Sequence, residues 1–128
     1  MIAITDTHTL IWHDSDPSRA SKALIRYLAS PAWTVYVSVV NPWEMTIKAA
    51  TGKLILRAEV RAIMSDVLRL NRVHLLPVTY DHILALGGLP PAHKDPFDRL
   101  LAAQAIAENA VLVTDDAIFQ HYPVHTDW

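Results

Sequence analysis

Apolar residues along this chain change their spacing several times, and each change marks the boundary between two predicted elements. Short runs rich in β-branched residues predict strands at 2–5, 35–39, 74–76 and 110–114, with a fifth at 122–126. Apolar residues at helical spacing predict helices over 18–29, 41–50, 56–70, 80–86 and 97–108. The segment 56–70 has the clearest amphipathic pattern of these helices.

Strands that alternate with helices predict βαβ units, and therefore an α/β fold whose parallel sheet is covered by helices on both faces. The chain has 128 residues, which is enough for one domain with a sizeable core and too few for two ordinary domains. We therefore expect a single domain over residues 1–128. In such folds, ligands bind beyond the carboxyl ends of the strands.

Four carboxylates lie where the chain leaves a predicted strand or enters a predicted helix. Asp6 and Asp116 follow the first and fourth strands, whereas Glu44 and Asp98 lie at the starts of helices. A fold that brings these loops together would gather the four acids in one cleft. A buried group of carboxylates requires protons or a cation to neutralise it, and oxygen ligands without thiols favour Mg²⁺ or Mn²⁺. The pattern therefore predicts a divalent-metal site.

Helix capping is the alternative interpretation for two of these acids. The segment Asn41-Pro42-Trp43-Glu44 fits the positions N-cap to N3 of a helix, which would make Glu44 one arm of a capping box, and Asp95-Pro96-Phe97-Asp98 repeats this arrangement. Capping alone would account for both segments. It explains Asp6 and Asp116 less well, because a lone acid after an apolar strand gains little without a partner.

Composition and charge limit the remaining possibilities. Hydrophobic residues make up 52% of the chain and no apolar run approaches the roughly 18 residues of a membrane span, so we expect a soluble protein without a membrane partner. The absence of cysteine, together with an N-terminal segment MIAITD that lacks the basic start of a signal peptide, favours the cytoplasm. The net charge is −2, but setting aside the four acids leaves 9 acidic against 11 basic residues, which is compatible with an RNA partner.

Several enzyme classes lack their sequence signatures here. The chain has no GxxxxGK[ST] phosphate loop, no GxGxxG fingerprint, no GxSxG nucleophile elbow and no HExxH helix. Nucleotide hydrolysis at a phosphate loop, dinucleotide binding, acyl transfer and zinc proteolysis therefore lose support.

Three segments resemble the PIN-domain ribonucleases, specifically the VapC-type toxins of toxin–antitoxin pairs. They are DTHTLIW at 6–12, VSVVNPWEMTIKAATGKL at 37–54 and DPFDRLLAAQAIAENAVLVTDDAIFQHYPV at 95–124. The resemblance covers nearly the whole chain. It implies a PIN-like three-layer α/β/α sandwich with a central, mainly parallel sheet of four to five strands.

The resemblance also implies Mg²⁺- or Mn²⁺-dependent cleavage of RNA, inhibition by a cognate antitoxin protein, and homodimers that can join larger toxin–antitoxin assemblies. By this match Asp6, Glu44 and Asp98 carry over as core acids, and Asp116 is the fourth because it lies two residues after Thr114. Asp115 is the alternative fourth acid. Thr114 could hydrogen-bond a ligand carboxylate or a phosphate, although a hydroxyl at the end of a strand is more often a turn former.

Basic residues beside the acids are candidates for substrate binding. Lys48 lies one turn after Glu44, where it can pair with that carboxylate or contact a phosphate, and pairing is the favoured interpretation. Lys94 and Arg99 bracket Asp98 and are candidate phosphate contacts.

Two predictions from the sequence have alternatives, namely the role of two tryptophans and the function of the protein. Trp12 and Trp43 flank acidic positions and could stack on bases, but aromatic residues beside apolar helical positions belong to the core more often. The alternative function is a catalytically silent PIN-like module that binds RNA or protein without cutting it.

Overall fold

The computed structural model of the chain describes residues 1–69, 73–91 and 94–128. Within them, five strands form one parallel sheet in the order β3-β2-β1-β4-β5. The strands are β1 (Ile2–Thr5), β2 (Thr34–Ser38), β3 (Val73–Leu76), β4 (Val111–Val113) and β5 (His125–Asp127). The helices are α1 (Thr7–Ser15), α2 (Lys22–Ala29), α3 (Val40–Ala50), α4 (Val60–Leu68), α5 (Tyr80–Gly87) and α6 (Pro96–Ala107).

Helices cover both faces of the sheet because successive strand residues point in opposite directions. Ile4 and Leu112 pack on one face with residues of α5 and α6, whereas their neighbours Ala3 and Val113 pack on the other face with α2. A third apolar cluster joins α1, α3 and α4 to Val37 of β2. The predicted three-layer α/β/α sandwich with a parallel sheet is confirmed.

The first helix is absent from the sequence prediction. Helix α1 starts directly after β1, but its buried residues include the threonines Thr7 and Thr9, so it lacks an apolar stripe. The hydroxyl of Thr9 donates a hydrogen bond to the Val113 carbonyl at 2.9 Å, which makes its burial tolerable. Helix α1 could not be predicted from apolar spacing because polar residues occupy its buried positions.

Other boundaries move by a few residues. Helix α4 begins at Val60 rather than at residue 56, and the predicted final residue, Leu70, lies outside the described residues. Strand β5 begins at His125 rather than at residue 122. A 3-10 turn at Ala117–His121 is followed by Tyr122 and a proline, which delays the start of this strand.

Candidate functional site

Asp6 lies at the carboxyl end of the central strand β1 and caps helix α1. One carboxylate oxygen accepts a hydrogen bond from the Thr9 backbone N–H at 2.7 Å, and the other accepts one from the Thr114 hydroxyl. Only 5% of Asp6 is exposed. Burial raises the pKa of the Asp6 carboxyl, and the hydrogen bonds from Thr114 and Thr9 only partly oppose this effect. A nearby cation would therefore stabilise its charged form.

The capping interpretation of Glu44 is wrong. Helix α3 begins at Val40, with Val39 as an N-cap that makes no side-chain hydrogen bond, so Glu44 lies beyond the first turn. Pro42 fits within that first turn because the backbone nitrogens there have no partner inside the helix. The Asn41 side chain instead accepts a hydrogen bond from the Ser38 backbone N–H at 2.9 Å.

A chain of polar contacts fixes the Glu44 side chain, which is only 3% exposed. The Asn41 amide donates to the Thr7 hydroxyl at 3.1 Å, and that hydroxyl donates to Glu44 Oε1 at 2.5 Å. Because Thr7 directly follows Asp6, these contacts connect the end of β1 to helix α3. The hydrogen bonds orient the Glu44 carboxylate before any ligand binds.

Glu44, Asp95 and Asp98 form a group of acids in which each residue offers a carboxylate oxygen within 4.8 Å of the others. Asp95 is the N-cap of α6, as the capping interpretation of this segment predicted. Its Oδ1 accepts hydrogen bonds from the backbone N–H groups of Phe97 and Asp98 at 2.8 and 3.2 Å. The second oxygen of Asp95 takes no part in this capping. We call these three residues the acidic group.

Asp95 was not among the site residues predicted from the sequence. The signal was present, because the spacing Asp95-Pro96-Phe97-Asp98 puts two acids at N-cap and N3 of one helix, where side chains three residues apart are neighbours. The contribution of Glu44 from another helix is what turns this local pair into a group.

Lys48 pairs with two members of the acidic group. Its Nζ lies 2.5 Å from Glu44 Oε2, which confirms the predicted pairing, and 3.4 Å from Asp95 Oδ2. Partial burial lowers the pKa of Lys48, but the Glu44 and Asp95 carboxylates outweigh that effect and raise it overall. Lys48 is therefore charged at neutral pH and places one positive charge beside the carboxylates of Glu44 and Asp95.

The residues after β4 lie on the other side of Asp6. The Thr114 hydroxyl donates to Asp6 and accepts the Asp116 backbone N–H at 3.0 Å. The Asp116 side chain is exposed and caps the following 3-10 turn through the Ile118 backbone N–H at 3.0 Å. Asp115 is exposed too. Among the described residues, the 4.8 Å group includes two of the four predicted acids, Glu44 and Asp98, but neither Asp6 nor Asp116.

The other candidate contacts have varied surroundings. Lys94 is exposed, whereas the Arg99 guanidinium donates to the Pro90 carbonyl at 2.8 Å and so holds the loop before α6. Trp43 is 49% exposed, with its ring 4.7 Å from that of Phe97, so the prediction that it belongs to the core is wrong. Trp12 is partly buried.

The chemistry of the acidic group fits a divalent cation. All its ligand atoms are carboxylate oxygens, which hard cations such as Mg²⁺ and Mn²⁺ prefer. The hydrogen bonds on Glu44 and the capping bonds on Asp95 hold two of the three side chains in place. Such an arrangement can bind a metal ion beside the carboxyl end of the sheet.

Comparison with known proteins identifies the family. The family model of the PIN domain matches residues 3–124. The chain belongs to the PIN domain family. This confirms the family recognised in the sequence, and the five-stranded parallel sheet is the PIN fold.

Solved structures that are similar to this chain include two named VapBC and one named FitAcB. VapBC2 from Rickettsia felis, bound to a DNA fragment from their promoter, has a TM-score of 0.75 and 20% identity, with 99% of this chain and 98% of that chain covered. VapBC-1 from nontypeable Haemophilus influenzae has a TM-score of 0.66 and 25% identity, with 94% and 92% covered. FitAcB from Neisseria gonorrhoeae has a TM-score of 0.63 and 19% identity, with 100% and 97% covered.

No curated protein sequence matches this PIN domain. Within residues 1–69, 73–91 and 94–128, no helix is long and apolar enough to cross a membrane.

Proposed function

We propose that this PIN-domain protein is a metal-dependent endoribonuclease that acts as the toxin of a toxin–antitoxin pair. The observation that carries the proposal is the acidic group of Glu44, Asp95 and Asp98, which the hydrogen bond from Thr7 to Glu44 connects to the end of β1 where Asp6 lies. Similarity to VapBC-1, at 25% identity over more than nine-tenths of both chains, supports the toxin role. A toxin that cuts cellular RNA would act in the cytoplasm.

A Mg²⁺ or Mn²⁺ ion would be held first by Asp98 and Glu44, with the second oxygen of Asp95 as an additional ligand. Asp6 would complete the site from β1, and Asp116 would act from the outer edge, directly or through water. When bound, the ion would polarise a phosphoryl oxygen and lower the pKa of the attacking water. Carboxylates are suited to this role because such hard cations prefer oxygen ligands and keep open positions for water and substrate phosphate.

The other residues of the site orient its carboxylates and balance their charge. Thr7 holds Glu44, and Thr114 holds Asp6, so both carboxylates have fixed directions before substrate arrives. Lys48 has three N–H donors and can exchange its carboxylate contacts for a substrate phosphate. Lys94 and Arg99 remain candidate phosphate contacts at the start of α6.

The antitoxin would silence the enzyme by charge replacement. A basic antitoxin side chain that enters the cleft would pair with carboxylate oxygens of the acidic group and supply the positive charge that a metal ion would otherwise bring. We further propose that the toxin is a homodimer and joins a larger complex with its antitoxin. A complex in which the antitoxin leaves the acids open and the nuclease active would contradict this mode of inhibition.

Mapping of new RNA 5′ ends in cells tests the nuclease. The wild-type chain is compared with an Asp6→Asn, Asp98→Asn double variant, and Glu59→Gln serves as the control because Glu59 is exposed and its side chain caps no helix. Discrete cleavage sites with the wild type and Glu59→Gln, absent with the double variant, are expected. Equal patterns from all three folded proteins, without antitoxin, would overturn the proposal.

A silent binding module is the second candidate, and the position of Lys48 favours it. Its ammonium already balances part of the charge of the acidic group, so the metal-free site is tolerable without any enzymatic role. Calorimetric titration with Mn²⁺ separates the two functions. A nuclease should bind Mn²⁺ and lose that binding in Asp98→Asn, whereas a pure binder should show RNA binding with no Mn²⁺ site.

A further inference from the structure

An open pocket of about 480 Å³ lies beside helix α1, and no member of the acidic group lines it. It combines indole rings, cationic side chains and one carboxylate, and none of these has a role in the proposed metal chemistry. Its lining residues are Trp12, Ser18, Arg19, Ala20, Lys22, Asp115 and Trp128. We call it the tryptophan pocket.

Aromatic rings form a row from the start of α1 into this pocket. The ring of His8, which is exposed, lies 5.6 Å from that of Trp12, and Trp12 lies 5.7 Å from Trp128. The two indoles are nearly perpendicular, at 82°, and Trp128 is 37% exposed. The Arg19 guanidinium covers Trp12 at 4.2 Å from the ring centre. Two perpendicular indoles make a corner in which a planar ring can stack on one wall and meet the other with its edge.

The cations of the pocket are available for an anionic ligand. Arg19 and Lys22 are exposed, and neither forms an ion pair with a carboxylate in the described part of the chain. Arg57 shows the contrast, since its guanidinium is engaged by Asp14 and Asp66, both at 2.7 Å. The pocket therefore offers positive charge together with aromatic surface. Asp115, which also lines the pocket, can accept a hydrogen bond from a base.

The tryptophan pocket adjoins the candidate active site. Trp12 lies six residues after Asp6 along α1, which corresponds to about 9 Å of helix. Asp115 directly follows Thr114, whose hydroxyl bonds to Asp6. A strand whose phosphate reaches Asp6 would therefore pass this pocket with a neighbouring nucleotide.

We propose that the tryptophan pocket binds one base of single-stranded RNA next to the scissile bond, with its phosphate against Arg19 and Lys22. Unstacked bases bind proteins through aromatic faces and guanidinium planes, with cations along the backbone, and the pocket supplies all three. This inference rests on the proposed nuclease function for its substrate, but it concerns binding rather than cleavage. The pocket would act on RNA affinity and on the choice of the neighbouring base.

Fluorescence anisotropy with a labelled, short single-stranded oligoribonucleotide of alternating uridine and cytidine tests the pocket. Chelator is present, so that affinity is measured without cleavage. We expect Trp128→Leu to weaken binding by about tenfold, because the apolar bulk remains but the stacking face is lost, and Trp128→Phe to restore most of the affinity. When metal is restored, Trp128→Leu should also show a raised KM for RNA cleavage at a similar kcat.

Salt dependence tests the cations separately. Each phosphate contact adds about 0.7 to the slope of log affinity against log salt for a single strand, so Arg19→Gln with Lys22→Gln should lower that slope by about 1.4. Arg61→Gln is the matched control, since Arg61 is an exposed arginine on α4. Both sets change exposed side chains and leave the core intact.

Three results would overturn the inference. One is no measurable RNA binding by the wild type, another is wild-type affinity in Trp128→Leu, and the third is an equal effect of Arg61→Gln. If Trp128→Leu instead lost a co-purified antitoxin and kept RNA affinity, the pocket would belong to a protein partner. Failure of the nuclease proposal would give a different result. In that case the wild type and Asp98→Asn would not differ in RNA cleavage, whereas the RNA affinities measured by anisotropy would be unchanged.

Discussion

Lys48 bridges two members of the acidic group, with its Nζ 2.5 Å from Glu44 Oε2 and 3.4 Å from Asp95 Oδ2. These oxygens are also the proposed metal ligands. The ammonium and a divalent cation would therefore compete for the same carboxylates. The metal-free protein is stabilised by a side chain that must give up its contacts, at least in part, when a metal binds.

Replacement of this lysine should have opposite effects without and with metal. In chelator, we expect Lys48→Gln to lower the free energy of unfolding by roughly 1–2 kcal/mol, because the carboxylates lose their counter-charge. Mn²⁺ should then raise the melting temperature of the variant by more than it raises that of the wild type. Thermal unfolding in chelator and in a Mn²⁺ series measures both effects. Lys53→Gln, an exposed lysine after the same helix, should behave as the wild type.

The burial of Asp6 should make the stability of the metal-free protein depend on pH. Burial raises the pKa of its carboxyl in the folded state above 3.8, so the metal-free protein loses stability as pH rises from that value through the folded-state pKa. Asp6→Asn removes this cost and keeps the cap of α1, because asparagine caps a helix as well as aspartate does. In chelator at pH 7, the variant should be more stable than the wild type, and the difference should shrink toward acid pH. Urea unfolding at several pH values checks this, and a variant that is less stable at pH 7 would contradict it.

A hydrogen bond between Tyr27 and Asp127 joins α2 to β5. Burial, together with the Asp127 carboxylate, raises the pKa of Tyr27 to about 12, and the tyrosine hydroxyl lowers the pKa of Asp127. The wild type should therefore lose stability from pH 10 to about 12, where only the unfolded tyrosine ionises, and again as pH falls below 3.8 through the lowered pKa of Asp127. Tyr27→Phe should flatten both limbs and cost about 1 kcal/mol at neutral pH. Tyr80→Phe, at an exposed tyrosine, is the control for the same urea titrations.

The strands and most helices of this fold could be predicted because their signals are local. In segments such as 35–39 and 110–114, the apolar pattern that predicts a strand is complete within a few residues. The parallel sheet then follows from the alternation of strands and helices along the chain. Helix α1 was not predicted, because the burial of its residues Thr7 and Thr9 depends on hydrogen-bond acceptors at Glu44 and Val113, which are far along the chain. Sequence periodicity carries no information about those acceptors.

The candidate site was predictable only in part for the same reason. Strand ends pointed to Asp6, and helix starts pointed to Glu44 and Asp98. Asp95 looked like a cap, which it is, and its place in the acidic group depends on the packing of α3 against α6. Lys48 and Asp95, whose contact reflects that packing, are 47 positions apart. A contact of that range is decided by the tertiary fold.

Asp95 and Asp98 can be separated by a pair of conservative substitutions. Asp95→Asn retains a good N-cap for α6 while removing one negative charge from the acidic group. Asp98→Asn removes a carboxylate from the first turn, where the helix dipole favours it by about 0.3–1 kcal/mol. Both variants should therefore fold, with free energies of unfolding in chelator within about 1 kcal/mol of the wild type. Effects on function would then report on the site rather than on the fold.

We expect Asp98→Asn to abolish metal-dependent RNA cleavage and Asp95→Asn to weaken Mn²⁺ binding by roughly 10- to 100-fold with residual activity at high Mn²⁺. The physical reason for the smaller effect at Asp95 is that this residue commits one oxygen to the helix cap and has only its second oxygen for a metal. Cleavage rates across a Mn²⁺ titration measure the difference, with Glu59→Gln as the control. Wild-type Mn²⁺ dependence in Asp95→Asn would restrict that residue to capping α6, and full cleavage by Asp98→Asn would remove the acidic group from the mechanism altogether.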